Sequence, residues 1–256
     1  MKQNLDTRYK NIKLIIEYDG TNYCGWQRQK NDPSIQGMIE SAISKMTGQH
    51  ITLNGSGRTD AGVHAWQQVA NFKCHTRLTP DDLKNGLNSI LPKDIAIHSC
   101  VEVAGDFHAR YDVRSKIYRY YIGQRLRKMA LFYQYCWNIP YKLNLSKMQA
   151  AASFFKGTHN FKSFEASGSS RSTSVRTVFN SELTINENQY MMFEIEADGF
   201  LRFMVRNIVG TLVEVGKNRI SPDQIPIILQ AQKRELAGPT APSNGLFLIE
   251  VNYKNR

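Results

Sequence analysis

The chain has 256 residues, 41% hydrophobic and 21% charged, which suits one large domain or two medium ones with a full core and excludes a disordered chain. Its 33 Lys and Arg against 22 Asp and Glu leave a net charge of +11, which favours a polyanionic partner through attraction and counterion release. No apolar run approaches the roughly 20 residues that span a bilayer, the first residues are polar rather than a signal-peptide core, and Cys24, Cys74, Cys100 and Cys136 are too scattered for a zinc site or a disulfide framework, so a cytoplasmic protein with reduced thiols and no membrane partner is expected.

In chain order, Ile12-Lys13-Leu14-Ile15-Ile16-Glu17-Tyr18 is rich in β-branched residues and stops at Asp19-Gly20, a strand entering a turn. Residues 21–29 hold Tyr23, Trp26 and Arg28 without period and read as a loop. Ile35, Met38, Ile39, Ala42, Ile43 and Met46 follow helical spacing, with Ser34 to cap the start and Gly48 to stop the end. Ile51-Thr52-Leu53 reads as a short strand delivering the chain into Gly55-Ser56-Gly57, and residues 67–72 as another. A short helix over 81–88 and a strand over 95–103 follow.

Residues 116–122 alternate, with Tyr118, Tyr120 and Ile122 on one face. A helix is expected over 146–155 and a hairpin from 175–185 to 190–197 across Asn186-Glu187-Asn188. Residues 166–174, rich in serine, look like a basic-tipped loop. Leu201, Met204, Val205, Ile208, Val209, Leu212 and Val213 keep helical spacing, which sets Arg202 and Arg206 together at the margin of the apolar stripe. Ser221-Pro222 with Gln224 reads as a helix start, although Pro226 asks for a kink or a later beginning. A strand over 246–251 closes an α+β pattern, with an N-terminal half over 1–105 and a C-terminal half over 106–256.

The segment Gly55-Ser56-Gly57-Arg58-Thr59-Asp60-Ala61-Gly62-Val63-His64-Ala65 is where chemistry concentrates. Its glycines permit sharp turns and a close ligand approach, so one carboxylate can be held beside a cation. Dinucleotide, P-loop and nucleophile-elbow motifs are all missing. Asp60 as the cap of a helix beginning at Ala61 is the structural alternative. Asp60 and His64 on one helix face would suit a metal-dependent nuclease, but no third ligand shows by spacing. Tyr23, Trp26, Arg28, Phe107, His108 and Arg110 interleave rings with cations, as single-stranded RNA binders do.

Ile16-Glu17-Tyr18-Asp19-Gly20-Thr21-Asn22-Tyr23-Cys24-Gly25-Trp26-Gln27-Arg28-Gln29 resembles the N-terminal signature of TruA-type tRNA pseudouridine synthases, and residues 57–65 resemble that family's catalytic loop. Asp106-Phe107-His108-Ala109-Arg110 and Lys116-Ile117-Tyr118-Arg119-Tyr120 are similar to its central motifs. Met204-Val205-Arg206-Asn207-Ile208-Val209-Gly210 and Ala241-Pro242-Ser243-Asn244-Gly245-Leu246 are similar to its C-terminal ones. The order is the family's and the span is nearly the whole chain. Departures fall at Ser34-Ile35-Gln36, at Gly199, at Arg202-Phe203 and in the serine-rich stretch.

The resemblance implies the pseudouridine synthase fold, two α+β halves with a joined, mainly antiparallel sheet and a central basic cleft. It implies a homodimer gripping one tRNA and isomerising uridines 38, 39 and 40 of the anticodon stem-loop, with no cofactor and no metal. Carried over, Asp60 is the essential carboxylate, Tyr118 packs on the target base and is a candidate to take its C5 proton, and Arg206 keeps Asp60 ionised. Arg58 helps to hold the flipped-out nucleotide and Leu246 packs on its base; Tyr23, Trp26, Arg28, Phe107, His108, Arg110 and Arg202 are expected to bind substrate on the residue patterns above, not on the resemblance. A non-catalytic RNA-binding protein on the same fold is the alternative.

Overall fold

The computed structural model describes residues 8–125, 129–166 and 173–254. Among them the chain forms β1 (Arg8–Tyr18), α1 (Ile35–Thr47), β2 (Asn54–Gly55), β3 (His64–Thr76), α2 (Pro80–Ile90), β4 (Ile95–Val103), β5 (Val113–Gly123), β6 (Trp137–Asn138), α3 (Leu145–Ser153), β7 (Gly157–Asn160), β8 (Val175–Ile185), β9 (Met191–Ala197), α4 (Met204–Gly216), α5 (Gln224–Ala231) and β10 (Leu246–Tyr253). The class is α+β, as expected. None of the described helices is long and apolar enough to cross a membrane.

Two compact units result. The first takes the described residues up to Arg114 together with those from Leu248 onward, and the second runs from Ser115 to Phe247. The division therefore falls later than the expected 105/106, and the end of the chain returns to the first unit. The reason is visible in residues 104–112. Asn11 donates its side-chain amide to the carbonyls of Ala104 and Phe107 at 2.8 and 2.9 Å. Asn71 accepts from the Ala109 amide, and the Tyr253 hydroxyl donates to the Ala109 carbonyl. These bonds fasten the turn to the first unit.

In the first unit, β1 pairs antiparallel with β3 and β4, β2 pairs with β3, and β10 lies beside β3. Alternation along β1 buries Ile12, Leu14, Ile16 and Tyr18 on one face. On the other face Tyr9, Asn11 and Lys13 sit opposite His75, Lys73 and Asn71. Ile35, Ile39 and Ile43 bury the inner face of α1. Ser34 Oγ accepts from the Gly37 amide, and Gly48 ends the helix at φ 68°. A capping box between Thr79 and Asp82 opens α2. The expected strand at Ile51-Thr52-Leu53 does not form; pairing starts one residue later, at Asn54 opposite Asn71.

The strands of the second unit run β5-β9-β8-β7, each pair antiparallel, with β6 parallel to β5. Tyr118, Tyr120 and Ile122 are buried on one face of β5. The helix expected from Leu201 begins only at Met204, because Phe203 adopts a left-handed φ of 62°. That places Arg202 on the preceding turn, off the helix that carries Arg206. In α5 the later start holds, with Gln224 Oε1 accepting from the Ser221 amide. Pro226 then falls in the first turn, where no helical donor is lost. Of the serine-rich stretch, residues 167–172 lie outside the described residues.

Candidate active site

The loop carrying Asp60 is the excursion between β2 and β3. At its base Ser56 Oγ donates to Gln68 Oε1 at 2.6 Å, and Gln68 Nε2 donates to the Gly57 carbonyl at 3.2 Å. Thr59 Oγ1 lies 2.8 Å from the Tyr18 hydroxyl, and the Thr59 carbonyl accepts from the Trp26 amide at 3.1 Å. The Val63 amide then donates to the Asp60 carbonyl at 3.2 Å, closing a tight turn in which Gly62 has φ 74°. Residues 58–63 thus hold irregular backbone and a turn with no helix, which overturns the reading of Asp60 as a helix cap. Asp60 and His64 do not share a helix face either.

The N-terminal signature turns out to be the support for this loop. A β-carbon on Gly25 would lie 2.6 Å from the Thr59 carbonyl oxygen, and one on Gly20 would lie 2.1 Å from that of Val63. Gly55 presses equally closely on the Trp26 indole. The Gly62 amide donates to the Tyr23 carbonyl. Buried His64 has Nδ1 at 3.1 Å from the Gly20 amide nitrogen and 3.0 Å from Asp19 Oδ1. Asp60 is half-buried on this interlocked frame. Burial pushes the Tyr18 phenol up to about 12, so it stays protonated and available to Thr59 at neutral pH.

Exposed Arg58 donates from Nε to Gln27 Oε1 at 2.8 Å. Gln27 donates in turn to Gln36, and Gln36 to Glu40 and to the Leu53 carbonyl. Arg28 Nη1 pairs with Glu40 at 3.0 Å. This polar network, buried at Gln36 and Glu40, ties α1 to the Arg58 side of the loop. Sequence reading assigned no role to Gln27, Gln36, Glu40 or Gln68, since their partners are distant in the chain.

The expected ring-and-cation cluster divides. Trp26 is only 2% exposed and Tyr23 is buried with its hydroxyl on Asp94, so both rings are core of the first unit rather than open faces for a base. Phe107 packs at 5.2 Å on Tyr253, with Lys13 Nζ within 5.6 Å of both rings. His108 and Arg110 ride on the anchored turn beside Tyr111, an exposed ring that sequence reading passed over.

In the second unit, Tyr118 is buried on β5 with its ring edge-on to Phe200 at 4.9 Å. Arg206 Nε donates to the Ala241 carbonyl at 2.8 Å, and the Ala241 amide returns a bond to the Arg206 carbonyl. Its guanidinium stands 4.7 Å from the Phe203 ring, and that of Arg202 stands 4.9 Å away. Asn207 fastens the same strap, accepting from Thr240 and Arg234 and donating to the Phe164 carbonyl. Buried Leu246 follows Gly245, where a β-carbon would lie 2.6 Å from the Tyr120 ring, while the Tyr120 hydroxyl donates to the Pro242 carbonyl.

Among the described residues no group of three His, Cys, Asp or Glu side chains is placed to hold a metal ion. A rigidly framed carboxylate with an exposed arginine on the same loop suits acid–base or nucleophilic chemistry.

Residues 14–112 and 151–254 match the family model described as tRNA pseudouridine synthase. Among curated relatives named tRNA pseudouridine synthase A, that of Acetivibrio thermocellus is 50% identical over 244 residues. Those of Thermoanaerobacter sp. and Clostridium acetobutylicum are 47% and 43% identical over 245 and 244 residues. Each alignment covers 95% of this chain and 100% of the relative.

Proposed function

The chain belongs to the tRNA pseudouridine synthase family, and from that premise we propose that Asp60 is the carboxylate through which it isomerises uridine in the anticodon stem-loop, at positions 38, 39 and 40. The enzyme is an isomerase that converts uridine in tRNA to pseudouridine. The bond from the ribose C1′ to N1 breaks and one from C1′ to C5 forms. The proton lost from C5 is balanced by one gained at N1, so no net reagent is consumed. A stacked uridine must first leave the helix.

In this reading the Asp60 carboxylate acts as nucleophile or as base at the sugar. Arg206 keeps it ionised by charge pairing, and Tyr118 packs on the base and takes the C5 proton. Arg58 holds the flipped nucleotide, and Leu246 covers the base. The same reading carries a cytoplasmic homodimer whose two chains grip one tRNA. The observation that supports it most is the frame around Asp60. Gly25, Trp26 and Gln68 act on the backbone at residues 57–60, Tyr18 holds the Thr59 hydroxyl, and the aspartate is left half-exposed.

The test is pseudouridine formation in unmodified tRNA transcripts with excess chelator, with an Asp60→Ala sample alongside. Product from the wild type and none from the variant is expected. Product from the variant removes Asp60 from the chemistry. Wild-type binding without product on several tRNAs points instead to an RNA-binding protein.

A further inference from the structure

We propose that Tyr111 is a base-stacking contact for the RNA substrate, presented by the Asn11- and Asn71-anchored turn over residues 104–112; this rests on tRNA being the substrate. A single exposed apolar side chain needs no explanation. Tyr111 differs in how it is held. Its ring is 74% exposed, yet it lies 4.3 Å from the His108 ring, tilted by 37°, and 5.8 Å from the Arg110 guanidinium. The backbone of both neighbours is held within the turn. The Arg110 amide donates to His108 Nδ1 at 3.1 Å, and the His108 amide donates to Asp112 Oδ2 at 2.9 Å.

The turn beneath is rigid for a reason that the sheet supplies. Asn11 and Asn71 are buried side by side on β1 and β3, bonded to each other at 2.9 Å. Both donate to the Phe107 carbonyl, while Asn71 also accepts from Ala109. The Tyr253 hydroxyl closes the other side at Ala109. Two buried amides spent on one surface turn are costly to desolvate unless fully bonded, and here they are bonded to that turn. The consequence is a backbone beneath the ring that is ordered before any ligand arrives, which lowers the ordering cost of binding.

A ring open to solvent on an anchored backbone, flanked by an imidazole and a guanidinium, is what an unpaired nucleobase stacks on. The flanking cation is suited to the adjoining phosphate. In contrast to the buried rings of Tyr23 and Trp26, this ring needs no rearrangement to be reached.

The experiment compares wild type, Tyr111→Ala, Tyr111→Phe and Arg110→Ala, measuring tRNA Kd at several salt concentrations, and KM and kcat for pseudouridine formation. Stacking predicts that Tyr111→Ala weakens Kd and raises KM by about fivefold to about a hundredfold. It leaves kcat and the salt slope of binding unchanged, and Tyr111→Phe restores wild-type values. Arg110→Ala should lower the salt slope by about one phosphate contact. Unchanged Kd and KM in Tyr111→Ala overturn the proposal, and so does a loss equally large in Tyr111→Phe, since the hydroxyl would then be the contact. Absence of pseudouridine from the wild type itself sinks the isomerase assignment, whatever the variants do.

Discussion

At Gly25 the backbone φ is +94°, and an added β-carbon would stand 2.6 Å from the Thr59 carbonyl oxygen and 2.9 Å from the Asp60 carbonyl carbon. Gly25→Ala therefore combines left-handed strain with a clash against the peptide that carries the proposed carboxylate, a cost of about 1–3 kcal/mol. The expected outcome is at least a tenfold fall in kcat with tRNA Kd little changed, read by steady-state kinetics and filter binding. Tyr18→Phe acts on the same loop more gently. It removes the hydroxyl that bonds Thr59 and accepts from Gln68 Nε2, a loss of about 1 kcal/mol, and should lower the unfolding midpoint while keeping most activity. If both variants were fully active, the frame would have no bearing on Asp60. The segment from Gly55 to Ala65 is legible in the sequence as a constrained loop because glycine density is a local signal. That Gly20 and Gly25 are the residues it leans on is not legible, since the approach joins positions some 35 to 45 apart in the chain. Tyr23 and Trp26 illustrate the opposite failure. Rings beside an arginine look like an RNA surface until long-range packing buries them.

Helix α1 could be read directly because period, Ser34 cap and Gly48 stop agree, and all three are local. The start of α4 could not, because a phenylalanine at φ 62° leaves no sequence signal. The same helix holds a test of packing against propensity. Gly210 sits inside α4, where replacement by alanine should stabilise by about 1 kcal/mol on propensity alone. Its β-carbon, however, would fall 1.6 Å from the Pro239 carbonyl oxygen, and one on Gly238 would fall 2.7 Å from the Thr211 Cα. Residues 238–241 are the strap that bonds Arg206 and Asn207. Gly210→Ala is thus expected to destabilise, by about 1–3 kcal/mol, and to lower activity by shifting Arg206. A denaturant midpoint equal to or above that of the wild type would show that the strap yields freely and does not position that arginine.

Across the whole molecule, the phenols and thiols held inside both units act in concert on stability. Burial raises Tyr18 and Cys100 to about 12 each. It also raises Tyr120, Tyr253, Cys74 and Cys136, and it raises Tyr23 with help from the Asp94 carboxylate. In the unfolded chain these groups ionise at their ordinary values of 9.0 for Cys and 10.0 for Tyr. Between the two values the native state keeps a proton that the unfolded state has released. The native state thus binds more protons, and stability must fall as pH rises. Below pH 9 these groups leave stability unchanged; from there the loss accumulates group by group, with the tyrosine share beginning near pH 10. Chemical denaturation at pH 8, 9, 10 and 11 should show a midpoint that declines with growing slope. Tyr18→Phe, which starts lower at pH 8, should lose less between pH 10 and 11 than the wild type, because one of the buried protons is gone. A wild-type midpoint that stayed level to pH 11 would mean that these side chains reach water in the native protein, contrary to the packing that holds Thr59 and Pro242 in place.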